Sequence, residues 1–323
     1  MTTTSESRAP TPADSGGGPW GRRPRSARRL SRLTRSDKIV LSLLIGVPTL
    51  LHVFLIWVPT VLSVVLSFGT LGPLDKLSEV HFTGLENYRQ IFTIYPPFWP
   101  AVEHNLIWLA FFLVFPTTFG LLLAYLIDKG LTGSRFYQSA IFLPVVLSLP
   151  LVGFIWEMIY RQDGVLNAVI GIADPGFDRA WLSESGNLYA VLIAASWRHV
   201  GYVMILFIAG LKGVDPTLRE AAALDGANEW KTFRHVVFPA LAPVNIVVLV
   251  VTIIESLRAF DIVYVINGGR NGLELLSVLV TQNVIGEASR IGYGSALAVI
   301  LLVISMTVIL PYLYLVFRKD VRS

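Results

Sequence analysis

Six stretches of this chain are predominantly apolar over twenty or more positions, and no other feature restricts its fold as strongly. A helix rises about 1.5 Å per residue, so about 20 apolar residues match the roughly 30 Å hydrocarbon core of a bilayer. Within that core no water is present to satisfy backbone amides and carbonyls, so each stretch has to bond to itself as a helix. The stretches run approximately over 39–68, 105–127, 137–160, 188–211, 241–266 and 291–317. The expected fold is an all-α integral membrane protein with six transmembrane helices. Charged residues make up only 15% of the chain and hydrophobic ones 54%, whereas soluble domains carry about 25% charge. Pro48 and Pro59 are expected to kink the overlong first span.

The charges are concentrated. Of the 26 Lys and Arg residues, 18 fall in the two termini and the segments after the second and fourth spans; 6 fall in the alternate loops, and Arg198 and Arg258 lie inside spans. Positive charge accumulates on the cytoplasmic side, so both termini are expected there, in a multi-pass protein of a bacterial inner or plasma membrane. Residues 1–37 are Ser/Pro/Gly-rich and then Arg-rich, with too little apolar content to bury anything, and are expected to form a disordered cytoplasmic tail. An Arg cluster directly before a hydrophobic span reads as a topology determinant rather than a nucleic-acid-binding arm. The remaining residues, 38–323, form the membrane domain. The chain has no cysteine, which excludes disulfides, thiolate metal sites and cysteine nucleophiles. No phosphate-binding loop of the G-x-x-x-x-G-K-[ST] type occurs either, so the residues point to no cofactor, no metal and no catalysis by this chain.

Between the fourth and fifth spans, 215–238 reads as a cytoplasmic helical hairpin. Asp215 can cap a helix, Pro216 suits its first turn, "TLREAAAL" is strongly helical, and Gly226 can take the left-handed conformation that ends it. A second short helix fits "ANEWKTFRHVVF". Small alanines permit close approach, and Trp230 and Phe233 are compact anchors of the kind enriched at interfaces, so the hairpin reads as a docking element for a cytoplasmic partner.

Ionisable residues inside a membrane cost about 2.5–3.5 kcal/mol each and normally face a cavity or a partner. In "IIESLRAFD" of the fifth span, Glu255, Arg258 and Asp261 recur every three residues and would share a helix face, where Arg258 can pair with either carboxylate. In "SWRHVGYVM" of the fourth span, Arg198, His199 and Tyr202 lie on one side of the helix. Trp197 joins them only if the backbone bends, which Gly201 permits. A purely structural pairing of Glu255 with Arg258 is the competing reading.

"EAAALDGANEWKTFRHVVFPAL" resembles the EAA loop of the integral membrane subunits of ATP-binding-cassette importers, and it falls after the fourth of six spans, as in that family. "FTGLENYRQIF", "WEMIYRQDGVLNAVI", "FDIVYVINGG" and "GYGSALAVIL" resemble segments of the carbohydrate-uptake branch, the maltose and glycerol-phosphate permeases of the first-subunit type. Two departures occur: Arg270 follows the Gly-Gly pair in place of proline, and Asn267 precedes it in place of a hydroxyl. The resemblance implies a type I importer transmembrane domain, a second homologous permease subunit, two cytoplasmic ATPase subunits and an extracellular or lipid-anchored substrate-binding protein, with surrounding lipid and no nucleic acid as partners. It also implies that Glu220, Ala221, Ala222, Asp225 and Gly226 form the contact core toward the ATPase. In the same way it implies that Trp197, His199, Tyr202, Glu255 and Arg258 line a mid-membrane site for an oligosaccharide or related polyol. The readings from other classes are a self-contained ion-coupled carrier or channel, in which Glu255 and Asp261 would relay protons, and a membrane scaffold.

Overall fold

The computed structural model describes residues 34–71, 80–183, 186–286 and 290–320. The expected tail therefore lies outside the described residues up to position 33. Its expected boundary at 37 shifts, because helix α1 (Arg35–His52) already begins at Arg35. The reason is a capping box: Thr34 Oγ1 accepts from the Asp37 amide at 3.2 Å, and Asp37 Oδ2 accepts from the Thr34 amide at 3.0 Å, so two orphan donors at the helix start are satisfied reciprocally.

The chain divides into two compact units, Met1–Trp57 and Val58–Ser323. Within the first, Pro48 sits inside α1, which passes into one π-helical turn, Val53–Trp57. That turn is the irregularity of the first span.

Among its described residues, the regular structure of the second unit is helical except for a minimal antiparallel ladder, β1 (Gly69–Thr70) with β2 (His81–Phe82). Its helices are α2 (Val58–Leu66), α3 (Glu86–Thr93), α4 (Phe98–Asp128), α5 (Ser134–Val146), α6 (Leu149–Tyr160), α7 (Val165–Ala173), α8 (Asn187–Lys212), α9 (Pro216–Leu224), α10 (Glu229–Thr232), α11 (Phe238–Ala240), α12 (Ala242–Leu257), α13 (Asp261–Asn267), α14 (Leu276–Ile285) and α15 (Ile291–Asp320).

Four helical stretches are long and apolar enough to cross a membrane unaided: Arg35–Leu66, Phe98–Asp128, Asn187–Lys212 and Ile291–Tyr314. The third expected span is a bent pair, Ser134–Val146 with Leu149–Ala173 at 102°, and a 72° bend between Glu229–Ala240 and Ala242–Asn267 falls at the expected start of the fifth, where the hairpin's second limb ends. The third span is thus not the continuous helix its hydropathy suggests. Pro150 has no amide to bond the carbonyl of Val146, and Ser148 restarts the helix by accepting from the Leu151 amide. Pro243 breaks the ladder in the same way at the second elbow, where the Leu241 amide bonds back to Val237 at 3.0 Å.

The helix α8 is the centre of this unit. Glycines set its crossings: an added Cβ would come 2.7 Å from Val203 at Gly120 of α4, 2.3 Å from the Ile141 carbonyl of α5 at Gly201, and 2.6 Å from Val244 of α12 at Gly210. Small residues let transmembrane backbones approach this closely, where dispersion contacts hold helices that lipid would otherwise solvate equally well. Gly201 therefore serves a close approach, and α8 runs helical through it.

The sequence segments outside the spans act as staples. In "GLENY", Gly84 adopts φ +62°, and Asn87 donates to the Ser67 and Gly69 carbonyls at 2.9 and 2.8 Å while Tyr88 donates to Ser67 Oγ at 2.7 Å. In "GVLN", a Cβ on Gly164 would meet three carbonyl oxygens within 2.7 Å. Asn167 there donates to the Gln162 and Arg179 carbonyls and accepts from Trp181 Nε1 at 2.7 Å. Gly268 and Gly269 both have positive φ. Asn267, which stands where a hydroxyl is usual, accepts from the Gly269 and Arg270 amides at 3.0 and 3.3 Å, closing an Asx turn as a hydroxyl would.

Candidate functional site

Two places carry the residues singled out from the sequence. The first is a narrow cleft of about 30 Å³ within the bundle, lined among others by Trp108, Arg198, His199, Glu255, Arg258 and Asp261. Three of the five expected substrate residues, His199, Glu255 and Arg258, thus share one cleft. The reason differs from the helical repeat expected. The helix α12 stops at Leu257, Arg258 is its C-cap with φ −93° and ψ 5°, and α13 begins only at Asp261. Glu255 and Asp261 therefore do not lie on one continuous helix face; the interruption at 258–260 brings the three charges to one cavity. The Ser277 hydroxyl holds the interruption open by donating to the Ala259 carbonyl, and Phe260 stacks on Tyr264 at 5.1 Å.

Arg258 forms no ion pair with either carboxylate; the ion pairs among the described residues lie elsewhere. It is exposed, and Glu255 and Asp261 are half-buried. Arg198 Nε and Trp108 Nε1 are both buried without a hydrogen-bond partner. A buried donor left unpaired costs about 1–3 kcal/mol, so the cleft walls present two N–H groups that an acceptor would stabilise.

His199 has a different position from that expected of a ligand-facing group. It is 4% exposed, its Nε2 is 3.0 Å from Thr252 Oγ1, and its ring lies 4.9 Å from that of Phe112, so it ties α8 to α12 at the cleft wall. Trp197 and Tyr202 do not line the cleft. Trp197 is 40% exposed and meets Trp156 edge to face at 5.9 Å; Tyr202 is half-buried, 6.3 Å from the His199 ring. Trp108, 1% exposed, is the cleft residue the sequence did not single out, because an apolar span gives one tryptophan no signal over another.

The second place is the hairpin. Asp215 caps α9 by accepting from the Thr217 amide at 2.9 Å, and that bond holds its carboxyl below the usual carboxylate range. Gly226 takes φ +74°, and the Ala227 amide reaches back to the Ala222 carbonyl at 3.0 Å, the six-to-one bond of a Schellman ending. Asn228 then caps α10, accepting from the Lys231 amide at 2.9 Å. Of the five residues carried over by resemblance, Glu220, Ala221, Asp225 and Gly226 are exposed, whereas Ala222 turns inward and is buried. Leu224, at 90% exposure, and Trp230, at 65%, stand out from the same surface.

Comparison with known proteins places this geometry in context. The model of the family "Binding-protein-dependent transport system inner membrane component" matches residues 25–323. The chain is 34% identical over 263 residues to the osmoprotective compounds uptake permease protein GgtC of Synechocystis, covering 78% of this chain and 90% of that one. It is 32% identical over 259 residues to the arabinooligosaccharides transport system permease protein AraP of Bacillus subtilis, covering 77% and 80%. Its fold superposes with a TM-score of 0.74, at 18% identity and over 88% of this chain and 96% of the other, on a chain from the crystal structure of a bacterial ABC transporter that imports the acidic polysaccharide alginate. With a membrane-spanning bundle, elbowed spans and a family model that matches almost end to end, this chain belongs to the inner membrane components of binding-protein-dependent transport systems.

Proposed function

We propose that the chain is the sugar-translocating permease of an ATP-binding-cassette importer, sharing its pathway with a second, related permease. Both termini and the hairpin face the cytoplasm, where two separate ATPase subunits supply the energy. An external or lipid-anchored binding protein delivers the substrate. Relatives named for arabinooligosaccharide uptake and the alginate importer's fold support a carbohydrate. The observation that carries the reading is the cleft itself: guanidinium and carboxylate groups without ion-pair partners among the described residues, beside Arg198 and Trp108 donors equally unpaired there. Paired donors and acceptors of this kind suit vicinal hydroxyls, with aromatic surface covering the apolar side of a sugar ring. Glu220, Ala221, Asp225 and Gly226, with Leu224, form the surface that meets the ATPase, and Ala222 shapes it from within.

The test is uptake of labelled arabinooligosaccharides by the complete transporter in proteoliposomes. Arg258→Met is expected to assemble normally and to lose at least about tenfold in uptake at limiting sugar, the loss of a charge-assisted hydrogen bond pair. Assembly with full uptake would remove Arg258 from the site. Uptake that collapses with the proton gradient at constant ATP would favour the ion-coupled carrier instead.

A further inference from the structure

The hairpin is fastened to one helix by two oppositely directed ion pairs. In the last turn of α4, Asp128 Oδ2 accepts from Arg219 Nη2 of α9 at 2.9 Å. The following residue, Lys129, donates to Glu229 of α10. The last residue of α4 and its C-cap, Lys129, thus hold both limbs of the hairpin, with charges of opposite sense. The Asp128 side chain is only 12% exposed and that of Arg219 36%, so water screens this pair incompletely; the Lys129 pair is more exposed and weaker. Ring contact reinforces the joint: Tyr125 of α4 lies 4.7 Å from Phe233, and the Lys129 ammonium sits 4.9 Å over the Tyr125 ring. The bond to Glu229 also raises the Lys129 pKa.

The same helix reaches the cleft. Trp108 and Phe112 line it, and both belong to α4. Twenty residues of helix separate Trp108 from Asp128, about 30 Å of rise. Pro116, inside α4 between these two ends, has no amide for the Phe112 carbonyl, but Thr117 Oγ1 donates to that carbonyl at 2.9 Å and the helix continues through it, so a displacement at one end of α4 is carried to the other.

We propose that Asp128 and Lys129 are positioning residues that keep the hairpin joined to α4 throughout the transport cycle, making α4 the rod that carries hairpin movement to Trp108 and Phe112 in the cleft. This rests on the reading that the hairpin docks on the ATPase. Neither residue touches the substrate; they act through α4.

The experiment uses the complete transporter in proteoliposomes and reads ATP hydrolysis with and without its loaded binding protein. Asp128→Arg or Arg219→Asp alone is expected to cut receptor-stimulated hydrolysis about tenfold, and the double reversal to restore most of it, as coupled neighbours do. The chain's lack of cysteine permits a second arm that does not depend on rescue by charge. In Asp128→Cys/Arg219→Cys, with cysteine-free partner subunits, stimulation is lost, and a short bismaleimide joining the two thiols restores it. If the linked protein stays unstimulated, a fixed joint between the hairpin and α4 does not serve the cycle and the proposal is overturned. Assembled double-reversal protein that stays unstimulated overturns it as well. Leu224→Cys separates this outcome from failure of the docking reading: its crosslink to the ATPase subunit has to form whatever the result at Asp128, and its absence would refute the docking itself.

Discussion

Asn87 shows how much one side chain can hold. It is 4% exposed, and its amide donates to two carbonyls beyond the end of α2, groups that a helix end leaves without partners. Asn87→Ala would strip both carbonyls of their donor in a buried setting, and a loss of about 1–3 kcal/mol is expected. It should appear as a lower midpoint in thermal unfolding of the detergent-solubilised complex, whereas Arg89→Ala on the exposed side of α3 leaves the midpoint nearly unchanged. The residue was legible as part of a recurring segment but not as a staple, because the carbonyls it serves lie about twenty positions earlier. Asn267 is the converse case: read as a departure from the usual hydroxyl, it supplies the same acceptor to the same kind of turn.

At the level of elements, hydropathy located the spans and missed their breaks. An apolar average over twenty residues is blind to a missing amide at Pro150, and to a helix that stops at Leu257 and resumes at Asp261. The candidate site lies at such a stop, which is why a helical repeat grouped Glu255, Arg258 and Asp261 for a geometric reason that does not hold. The hairpin was more legible, since caps and a left-handed glycine are local chemistry written in adjacent residues. Its attachment to α4 was not, because Asp128 and Arg219 are 91 residues apart. Close helix crossings were equally invisible, and they make a test. Gly201→Ala places a carbon 2.3 Å from the Ile141 carbonyl, so α8 and α5 must separate. A cost of about 1–3 kcal/mol is expected from such overpacking, read as reduced thermal stability of the complex with little change in apparent sugar affinity, because Gly201 does not line the cleft. Unchanged stability would show that the crossing is looser than drawn.

For the whole molecule, charge sets the expected orientation in the membrane. The Lys and Arg excess on one side of the six spans predicts that Ser134 and Asp225 face the cytoplasm and Asp174 the exterior. Single cysteines at these positions are the subunit's own only thiols, so a membrane-impermeant maleimide applied to intact cells should label Asp174→Cys and leave Ser134→Cys and Asp225→Cys unlabelled until the membrane is opened. Labelling of Asp225→Cys in intact cells would invert the orientation and put the hairpin out of reach of any cytoplasmic ATPase.

The two elbows add a property of a different kind. A span that runs as one helix, such as α4, α8 or α15, meets a thicker or thinner bilayer by tilting. The third span, folded at 102°, can also alter its height by opening or closing its angle, and the fifth can do so against the hairpin at its 72° bend, each at the cost of bending a joint that already lacks one hydrogen bond. The bundle thus combines stiff struts with compliant ones, and a change of lipid chain length would be taken up first at the prolines.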